Sequence, residues 1–269
     1  MDILHAVILG IVQGLTEFLP VSSSGHLVLM QKIFGIEEAA LFFDTMLHAG
    51  TLLAVFAVMW QDIWAVLKKP IQPLTGFLIL ATLPVVFTAL AFRKSLEYAF
   101  ESGQFLGVSF LITSVFLVTA ELLSRRARAN KGLKSAENMN WLDALVIGIM
   151  QAIAIIPGVS RSGATISGAL SRKLDRGFAA RFSFLLSIPA ILGAVIFQSK
   201  DLIKGTEATT GGNTDATAVI AGTLTAAVVG FFAIKFMLKI VKEKSLFGFA
   251  IYTAILGLLV IVGQLFLNL

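Results

Sequence analysis

Two polar, proline-containing segments of the chain are copies of each other, and both interrupt stretches that are otherwise hydrophobic. Residues 10–25 read GIVQGLTEFLPVSSSG, and residues 148–163 read GIMQAIAIIPGVSRSG. The copies align at one constant spacing, without a gap, and the matched residues include Gly10 and Gly148, Gln13 and Gln151, Val21 and Val159, Ser22 and Ser160, Ser24 and Ser162, and Gly25 and Gly163. Broken hydrophobic segments at matching positions of two halves indicate a binding site near the middle of a membrane. We therefore expect the function to lie at these two segments.

The composition excludes a soluble domain of ordinary makeup. Hydrophobic residues make up 57% of the chain, charged residues only 14%, and the mean hydropathy is +0.89. No Lys or Arg precedes Lys32, so the first hydrophobic stretch lacks the basic start of a signal peptide and is expected to remain in the mature protein. The absence of cysteine excludes disulfides, thiolate metal sites and a cysteine nucleophile. The net charge of +5 is expected to serve membrane topology and contact with anionic lipids, and no nucleic-acid partner is predicted.

The hydrophobic pattern predicts an all-α, polytopic integral membrane protein with six full spans. The predicted spans cover about 41–60, 74–92, 105–123, 179–197, 217–239 and 247–268. The repeated stretches, at about 3–34 and 141–170, are predicted to form re-entrant helical hairpins. Each half of such a hairpin is too short to cross, and its Pro and Ser/Gly break requires burial within protein.

Each half of the chain is then one re-entrant hairpin followed by three transmembrane helices. Because three is odd, the second half enters the membrane from the opposite side, which makes the fold an inverted repeat. The predicted division is residues 1–124 for the first repeat, 125–140 for a cytoplasmic loop and 141–269 for the second repeat.

The loop charges give an orientation for this arrangement. The loops 61–73, 124–140, 171–181 and 239–246 on one side carry 14 Lys and Arg, whereas those on the other side carry 5. The positive-inside rule places the first set in the cytoplasm. Both termini and the mouth of the first hairpin are then predicted to face outward.

The first copy carries groups suited to metal binding and nucleophilic attack. Gln13 and Glu17 are four residues apart and share a helical face, where they can offer two oxygen ligands to a hard cation. The turn that follows, residues 20–26 (PVSSSGH), supplies three hydroxyls, backbone N–H donors and an imidazole. The alternative is that Glu17 only pairs with a basic group inside the helix bundle.

The second copy carries a group suited to anion binding. Residues 157–165 read PGVSRSGAT and place Arg161 among hydroxyls and glycines at a helix start. A guanidinium with nearby hydroxyls and free backbone N–H groups suits a phosphate or carboxylate. The alternative is that Arg161 is the buried partner of Glu17, and both interpretations hold together if the two tips meet.

Considered without the chemistry of these residues, an inverted repeat with broken helices favours a transporter over an enzyme.

Three other sets of residues are given lesser roles. Asp44 and His48 lie one turn apart at the start of a span and are interpreted as polar residues of a helix face, with a supporting role at the site as the alternative. Residues 205–214 are interpreted as a flexible outer loop. Five glycines are predicted to permit close helix contact: Gly10, Gly14, Gly148, Gly168 and Gly193.

The two motifs, QGLTEFLPVSSSGH (13–26) and PGVSRSGAT (157–165), resemble the signatures of bacterial undecaprenyl-diphosphate phosphatase, the bacitracin-resistance family. Those signatures are E/Q-x-x-x-E and P-G-x-S-R-S-x-x-T, and the similarity extends to FSFLLSIPAILG at residues 182–193. The chain has Gln at position 13 where many members have Glu. Gln offers a carbonyl oxygen but no charge, which argues against an acid–base role for position 13.

The resemblance implies an enzyme that hydrolyses undecaprenyl diphosphate to the monophosphate and so recycles the lipid carrier for peptidoglycan and other envelope polymers. It implies a divalent cation, with Mg²⁺ as the first expectation and Ca²⁺ as the alternative, and a bacterial inner-membrane protein among membrane lipids. The active site is expected to open to the periplasmic side. The sequence leaves a homodimer open. The alternative function is a lipid-carrier flippase or a transporter of an anionic substrate.

The resemblance also assigns roles to individual residues. It implies that Glu17, Ser23, His26 and Arg161 are catalytic, with Glu17 linked to a metal or a proton. The shared helical face of Gln13 and Glu17 makes these two residues the predicted metal ligands. The remaining motif residues are expected to bind substrate: Ser22, Ser24, Gly25, Ser160, Ser162, Gly163 and Thr165. Ser23 is the predicted nucleophile. Attack by His26, attack by a metal-bound water, and Ser22 or Ser24 in place of Ser23 remain alternatives.

Overall fold

The structure is a computed structural model, and it describes residues 1–36, 41–130, 132–204 and 215–266. Within these ranges the chain is helical and contains no strand. The predicted outer loop at 205–214 lies outside the described residues. The described ranges hold twelve α-helices: α1 (Ile3–Thr16), α2 (Ser23–Ile33), α3 (Leu41–Val58), α4 (Trp60–Lys68), α5 (Pro73–Ala91), α6 (Arg93–Ser102), α7 (Leu106–Ala129), α8 (Trp141–Ile153), α9 (Arg161–Ser171), α10 (Arg176–Lys204), α11 (Ala216–Glu243) and α12 (Phe247–Phe266).

The helices match the predicted membrane-spanning pattern. Five of them, α5, α7, α10, α11 and α12, are long and apolar enough to cross a membrane. A sixth span is obtained if α3 and α4, which are apolar and long enough only when taken together and are bent by 77° at their break, count as one span. The prediction of an all-α polytopic membrane protein is therefore confirmed. The sequence interpretation missed α4 and α6, which lie in segments treated as loops; α4 carries Trp60 and Trp64, residues typical of a membrane–water interface.

Both repeated segments form helix–turn–helix hairpins with closely matching boundaries. Helices α1 and α8 begin at equivalent positions of the repeat, Ile3 and Trp141. Helices α2 and α9 both begin and end at equivalent positions. The helices of these hairpins have 11 to 14 residues. At about 1.5 Å per residue none exceeds about 21 Å, which is short of a hydrocarbon core of about 30 Å.

Local capping explains why the two hairpins start at matching positions. The side chain of Asp2 accepts a hydrogen bond from the backbone N–H of His5 at 2.8 Å. The side chain of Asn140, at the equivalent position of the second copy, accepts one from the backbone N–H of Asp143 at 3.1 Å. A carboxylate or amide oxygen at the N-cap satisfies an otherwise unpaired helical N–H group.

Helices from the two halves of the chain pack against each other. Helix α1 of the first hairpin lies along α11, and α8 of the second hairpin lies along α5. Helix α3 contacts α10, and α7 contacts α12. The division of the chain at 1–124, 125–140 and 141–269 stays a prediction.

Glycines allow the hairpin helices to approach their neighbours closely. A Cβ atom at Gly10 would lie 2.5 Å from the backbone oxygen of Gly222, and one at Gly148 would lie 2.7 Å from that of Ala81. The prediction for Gly193 is wrong, because no described atom of a neighbouring helix lies within 4 Å of its Cβ position. The other predicted glycines do pack closely on a neighbouring helix: Gly10, Gly14, Gly148 and Gly168.

Two buried carboxylates outside the hairpin tips already have cationic partners. Arg176 donates to Glu121 at 2.8 Å and ties the start of α10 to α7. Asp143 at the start of α8 accepts from Lys134 at 3.0 Å and from Arg172 at 2.8 Å. These pairs satisfy their charges by connecting elements, so they position the helices around the hairpins.

Candidate active site

The tips of the two hairpins meet inside the helix bundle. The hydroxyl of Ser162 in the second tip donates to the backbone oxygen of Leu19 in the first at 3.0 Å. The backbone N–H of Gly158 in the second tip donates to the hydroxyl of Ser24 in the first at 3.3 Å. Each tip therefore holds the other, and the residues of the two motifs form one site.

Both hairpins turn into their second helix through the same serine cap. The hydroxyl of Ser22 accepts from the backbone N–H of Gly25 at 3.3 Å, and that of Ser160 accepts from Gly163 at 3.0 Å. The caps begin α2 and α9, so the positive ends of two helix dipoles lie at the meeting point of the tips. Helix N-termini of this kind favour a negatively charged ligand.

Glu17 is the centre of the hydrogen-bond network at the tips. Its carboxylate accepts from the hydroxyl of Ser23 at 2.6 Å, from Nη2 of Arg161 at 2.6 Å and from the side-chain amide of Gln13 at 3.0 Å. Only 4% of the Glu17 side chain and 17% of the Arg161 side chain are exposed. The structure thus brings four of the predicted residues together, and it pairs Glu17 with Arg161 directly.

Two polar atoms beside this network are buried and have no hydrogen-bond partner among the described residues. They are Oε1 of Gln13, an acceptor, and Nη1 of Arg161, a donor. An unpaired buried polar atom costs free energy, so both atoms are suited to a ligand. The Arg161 donor suits an anion oxygen, and the Gln13 oxygen suits a cation.

The described residues contain no cluster of three His, Asp or Glu side chains that could hold a metal ion. The site instead offers the carboxylate of Glu17 and the free Oε1 of Gln13. Mg²⁺ typically takes only one or two carboxylates in enzymes that act on phosphates, because phosphate oxygens and water complete its octahedron. The donor set therefore fits a cation that arrives with a phosphate substrate.

His48 is a member of the site that the sequence interpretation undervalued. Its Nε2 lies 3.7 Å from Oε2 of Glu17, and its Nδ1 is 2.7 Å from the backbone oxygen of Asp44. The Asp44 carboxylate accepts from the side chain of Gln31 at 2.7 Å. An ionisable pair spaced by four residues inside a span was the available signal, since such residues rarely lie in a membrane without a role.

His26 belongs to the tip, but its ring nitrogens contact groups other than the Ser23 hydroxyl. Its Nδ1 lies 2.6 Å from the backbone oxygen of Ser22, and its Nε2 lies 2.7 Å from the hydroxyl of Tyr252. The ring also meets Phe110 edge to face, with ring centroids 5.4 Å apart. Tyr252 lies in α12. No sequence motif around it predicts a contact with the hairpin.

The other predicted hydroxyls hold the tip together. The Ser22 and Ser24 hydroxyls lie 3.4 Å apart. In the second copy, those of Ser160 and Ser162 lie 3.2 Å apart. Thr165 donates to the backbone oxygen of Arg161 at 2.8 Å.

Two buried hydroxyls outside the motifs support the second tip. Thr113 of α7 accepts from the backbone N–H of Ser160 at 3.0 Å. The hydroxyl of Ser183 in α10 lies 2.6 Å from that of Thr165. Sequence reasoning assigned a role to neither, although Ser183 lies in the 182–193 stretch that carries part of the resemblance.

Comparison with known proteins identifies the family. The sequence model of "Bacitracin resistance protein BacA" matches residues 6–259. The chain belongs to the BacA family. It is 46% identical over 264 residues to "Undecaprenyl-diphosphatase" of Carboxydothermus hydrogenoformans, with 98% of each chain covered. It is 45% identical over 264 residues to "Undecaprenyl-diphosphatase 3" of Bacillus cereus, again with 98% of each chain covered.

The similarity extends to a third relative at lower identity. "Undecaprenyl-diphosphatase" of Methanosphaera stadtmanae is 37% identical over 284 residues, which cover 97% of this chain and 98% of the relative. The match to all three relatives runs over nearly the full length, so the resemblance found in the two motifs holds for the chain as a whole. The predicted family is confirmed.

Proposed function

We propose that this chain is an integral membrane phosphatase that hydrolyses undecaprenyl diphosphate to undecaprenyl phosphate and inorganic phosphate. The observation that carries this proposal is the buried contact of Glu17 with both the Ser23 hydroxyl and the Arg161 guanidinium, which has a second nitrogen free. One nucleophile, one base and one anion-binding group thus meet at a single point. This product is the lipid carrier needed for peptidoglycan and other envelope polymers, and its recycling accounts for bacitracin resistance.

The names of the relatives support hydrolysis over transport. The relatives with 46% and 45% identity are both called undecaprenyl-diphosphatase. The transporter alternative rested on the hairpin architecture alone, and that architecture equally serves to bury a polar site between lipid-facing helices. Hydrolysis is therefore the function we assign.

The first step in the proposed mechanism transfers the terminal phosphoryl group to Ser23. The Ser23 hydroxyl gives its proton to the Glu17 carboxylate, with which it is hydrogen-bonded, as Oγ forms a bond to the terminal phosphorus. The bond from that phosphorus to the bridging oxygen breaks, and undecaprenyl phosphate leaves with the electron pair. Arg161 binds the phosphoryl oxygens through its free Nη1. The positive ends of α2 and α9 favour the same negative charge.

The second step releases phosphate and restores the enzyme. Water attacks the phosphorus of phosphoserine, the P–Oγ bond breaks, and the Ser23 oxygen takes a proton back. Glu17, protonated in the first step, is placed to return that proton because it lies 2.6 Å from Oγ. Inorganic phosphate leaves, so water is the only co-reactant consumed.

We propose that Glu17 and Oε1 of Gln13 would hold a divalent cation, with Mg²⁺ first and Ca²⁺ as the alternative. When bound, the cation supplies charge neutralisation of the diphosphate. The free amide oxygen of Gln13 supports this assignment. Gln13 also orients Glu17 by donating to it, a role that needs no charge on residue 13.

We further propose that the protein lies in the bacterial inner membrane with the site open to the periplasmic side. The loop charges support this orientation, since 14 basic residues fall on the predicted cytoplasmic side and 5 on the other. The substrate's polyprenyl chain remains among the membrane lipids, and only its diphosphate reaches the hairpin tips. Hydrolysis at that side would act on lipid diphosphate released outside the cytoplasm.

Phosphate release from purified protein tests the proposal. The protein in detergent receives undecaprenyl diphosphate, and inorganic phosphate is measured with and without a chelator, followed by added Mg²⁺ or Ca²⁺. We expect release that is lost in chelator and restored by a divalent cation. The matched variant Glu17→Gln should release phosphate at least about 100-fold more slowly, because it cannot take the serine proton. Release by this variant at the unmodified rate would contradict the mechanism.

A further inference from the structure

The first hairpin tip has a distorted helix cap that the second tip lacks. Ser22 has φ 75° and ψ 100°, whereas Ser160, at the matching position, has φ −70° and ψ 118°. A positive φ is costly for a residue with a side chain, so the surroundings of Ser22 must hold it there. The distortion lies immediately before Ser23.

His26 holds the distorted residue. The backbone oxygen of Ser22 accepts from the backbone N–H of His26 at 3.3 Å and lies 2.6 Å from Nδ1 of its ring. The position that matches His26 in the second tip is Ala164, which has no side chain able to make such a contact. The tip with the histidine is thus the tip with the distortion.

The contacts of His26 also fix its tautomer. A carbonyl oxygen only accepts, so Nδ1 beside Ser22 carries the proton. In the neutral ring Nε2 is then an acceptor, and the hydroxyl of Tyr252 donates to it at 2.7 Å. The Tyr252 and His26 rings are nearly parallel, 9° apart, and Phe110 covers an edge. Both ring nitrogens are occupied, and neither is bonded to Ser23.

We propose that Tyr252 is a positioning residue, which holds the His26 ring so that His26 fixes Ser22 and thereby presents the Ser23 hydroxyl to Glu17. His26 then acts through the backbone and not as a base or nucleophile. This inference rests on the proposed function in that Ser23 and Glu17 are its reacting groups. It adds α12 to the active site, because the hairpin tip is shaped by a residue 226 positions away.

Substitution of His26 distinguishes positioning from proton transfer. Asparagine places its amide N–H where Nδ1 lies, so His26→Asn keeps the donor to Ser22 but cannot accept a proton. We expect His26→Asn to keep at least a tenth of the turnover number, and His26→Ala to lose roughly 10- to 100-fold, in line with the cost of a strained residue. Equal loss in both variants, with normal insertion in the membrane, would show that His26 performs chemistry and would overturn the inference.

Substitution of Tyr252 tests the new residue itself. Tyr252→Phe keeps the ring and removes the hydroxyl, and the loss of one hydrogen bond predicts a turnover number about five-fold lower. The matched control is Tyr98→Phe, since Tyr98 is the other tyrosine of the chain and lies exposed in α6. An unchanged rate in Tyr252→Phe, or an equal loss in Tyr98→Phe, would refute the role of Tyr252.

A chemical readout separates this inference from the proposed function. The chain has no cysteine, so Ser23→Cys creates a single thiol at the site. We expect Tyr252→Phe and His26→Ala to change the alkylation rate of that thiol by at least about two-fold, whereas His26→Asn and Tyr98→Phe leave it unchanged. Alkylation needs no substrate, so it gives this answer even if the protein releases no phosphate. Equal rates in all variants would overturn the positioning role.

Discussion

Replacement of Arg161 by alanine would remove the counterion of a carboxylate that is almost wholly buried. Glu17 lies 2.6 Å from Nη2 of Arg161, with 4% of its own side chain exposed. At an effective dielectric constant of about 20, opposite charges about 4 Å apart attract by about 4 kcal/mol. Removal of one partner from a buried pair typically costs about 3–5 kcal/mol, because the other charge is left uncompensated. We therefore expect Arg161→Ala to lower the free energy of unfolding by about that amount.

Thermal unfolding in detergent measures this loss. A change of this size corresponds to a fall of roughly 10 °C in the melting temperature of a chain of this length. The double variant Glu17→Gln with Arg161→Met leaves no charge at the pair and should recover most of the stability. If the double variant melts as low as Arg161→Ala, or if the single substitutions prove additive, the buried charge is not the cause.

Activity should respond differently from stability in the same variants. Arg161 supplies the free donor for the phosphoryl oxygens, and loss of such a donor typically lowers the turnover number by about 10²- to 10³-fold. The double variant should therefore be stable but inactive. Arg161→Lys keeps the charge but not two separate nitrogens, so it cannot bind Glu17 and phosphate in the same geometry. Near-normal phosphate release by Arg161→Ala would refute the site assignment.

Three further predictions concern the nucleophile, the helix packing and the orientation. Ser23→Ala should abolish turnover, and rapid quench of the unmodified enzyme with labelled diphosphate should yield acid-stable phosphoserine at Ser23; a substantial residual rate in the variant would favour a water nucleophile. Gly148→Ala should lower the melting temperature because its Cβ would lie 2.7 Å from a backbone oxygen, whereas the control Gly193→Ala should not; equal effects would contradict the packing argument. In intact cells a cysteine at Gln104 should react with an impermeant thiol reagent and one at Ser135 should not, and the opposite result would reverse the orientation.

Local features of the chain were enough to predict the long apolar helices, both hairpins and the motif residues of the site, but not the short helices α4 and α6. Hydrophobic length marked the spans, and the Pro and Ser/Gly breaks marked both hairpins, because each signal depends on residues near one another in the chain. The contact between Gln13 and Glu17 could be predicted for the same reason, because the two residues are four positions apart on one helical face. The match between two distant copies then indicated that the two hairpin tips would lie together.

The surroundings of those residues follow from the packing of the helices and could not be predicted from local sequence. His48 comes to Glu17 from α3, Ser183 comes to the second tip from α10, and Tyr252 comes to His26 from α12. These contacts join positions far apart in the chain, and they depend on which helix faces pack together. For the same reason the sequence could place His26 close to Ser23 but could not show that its ring nitrogens contact Ser22 and Tyr252 instead. The direction of a side chain at a helix start is set by the partners that the packed bundle offers it.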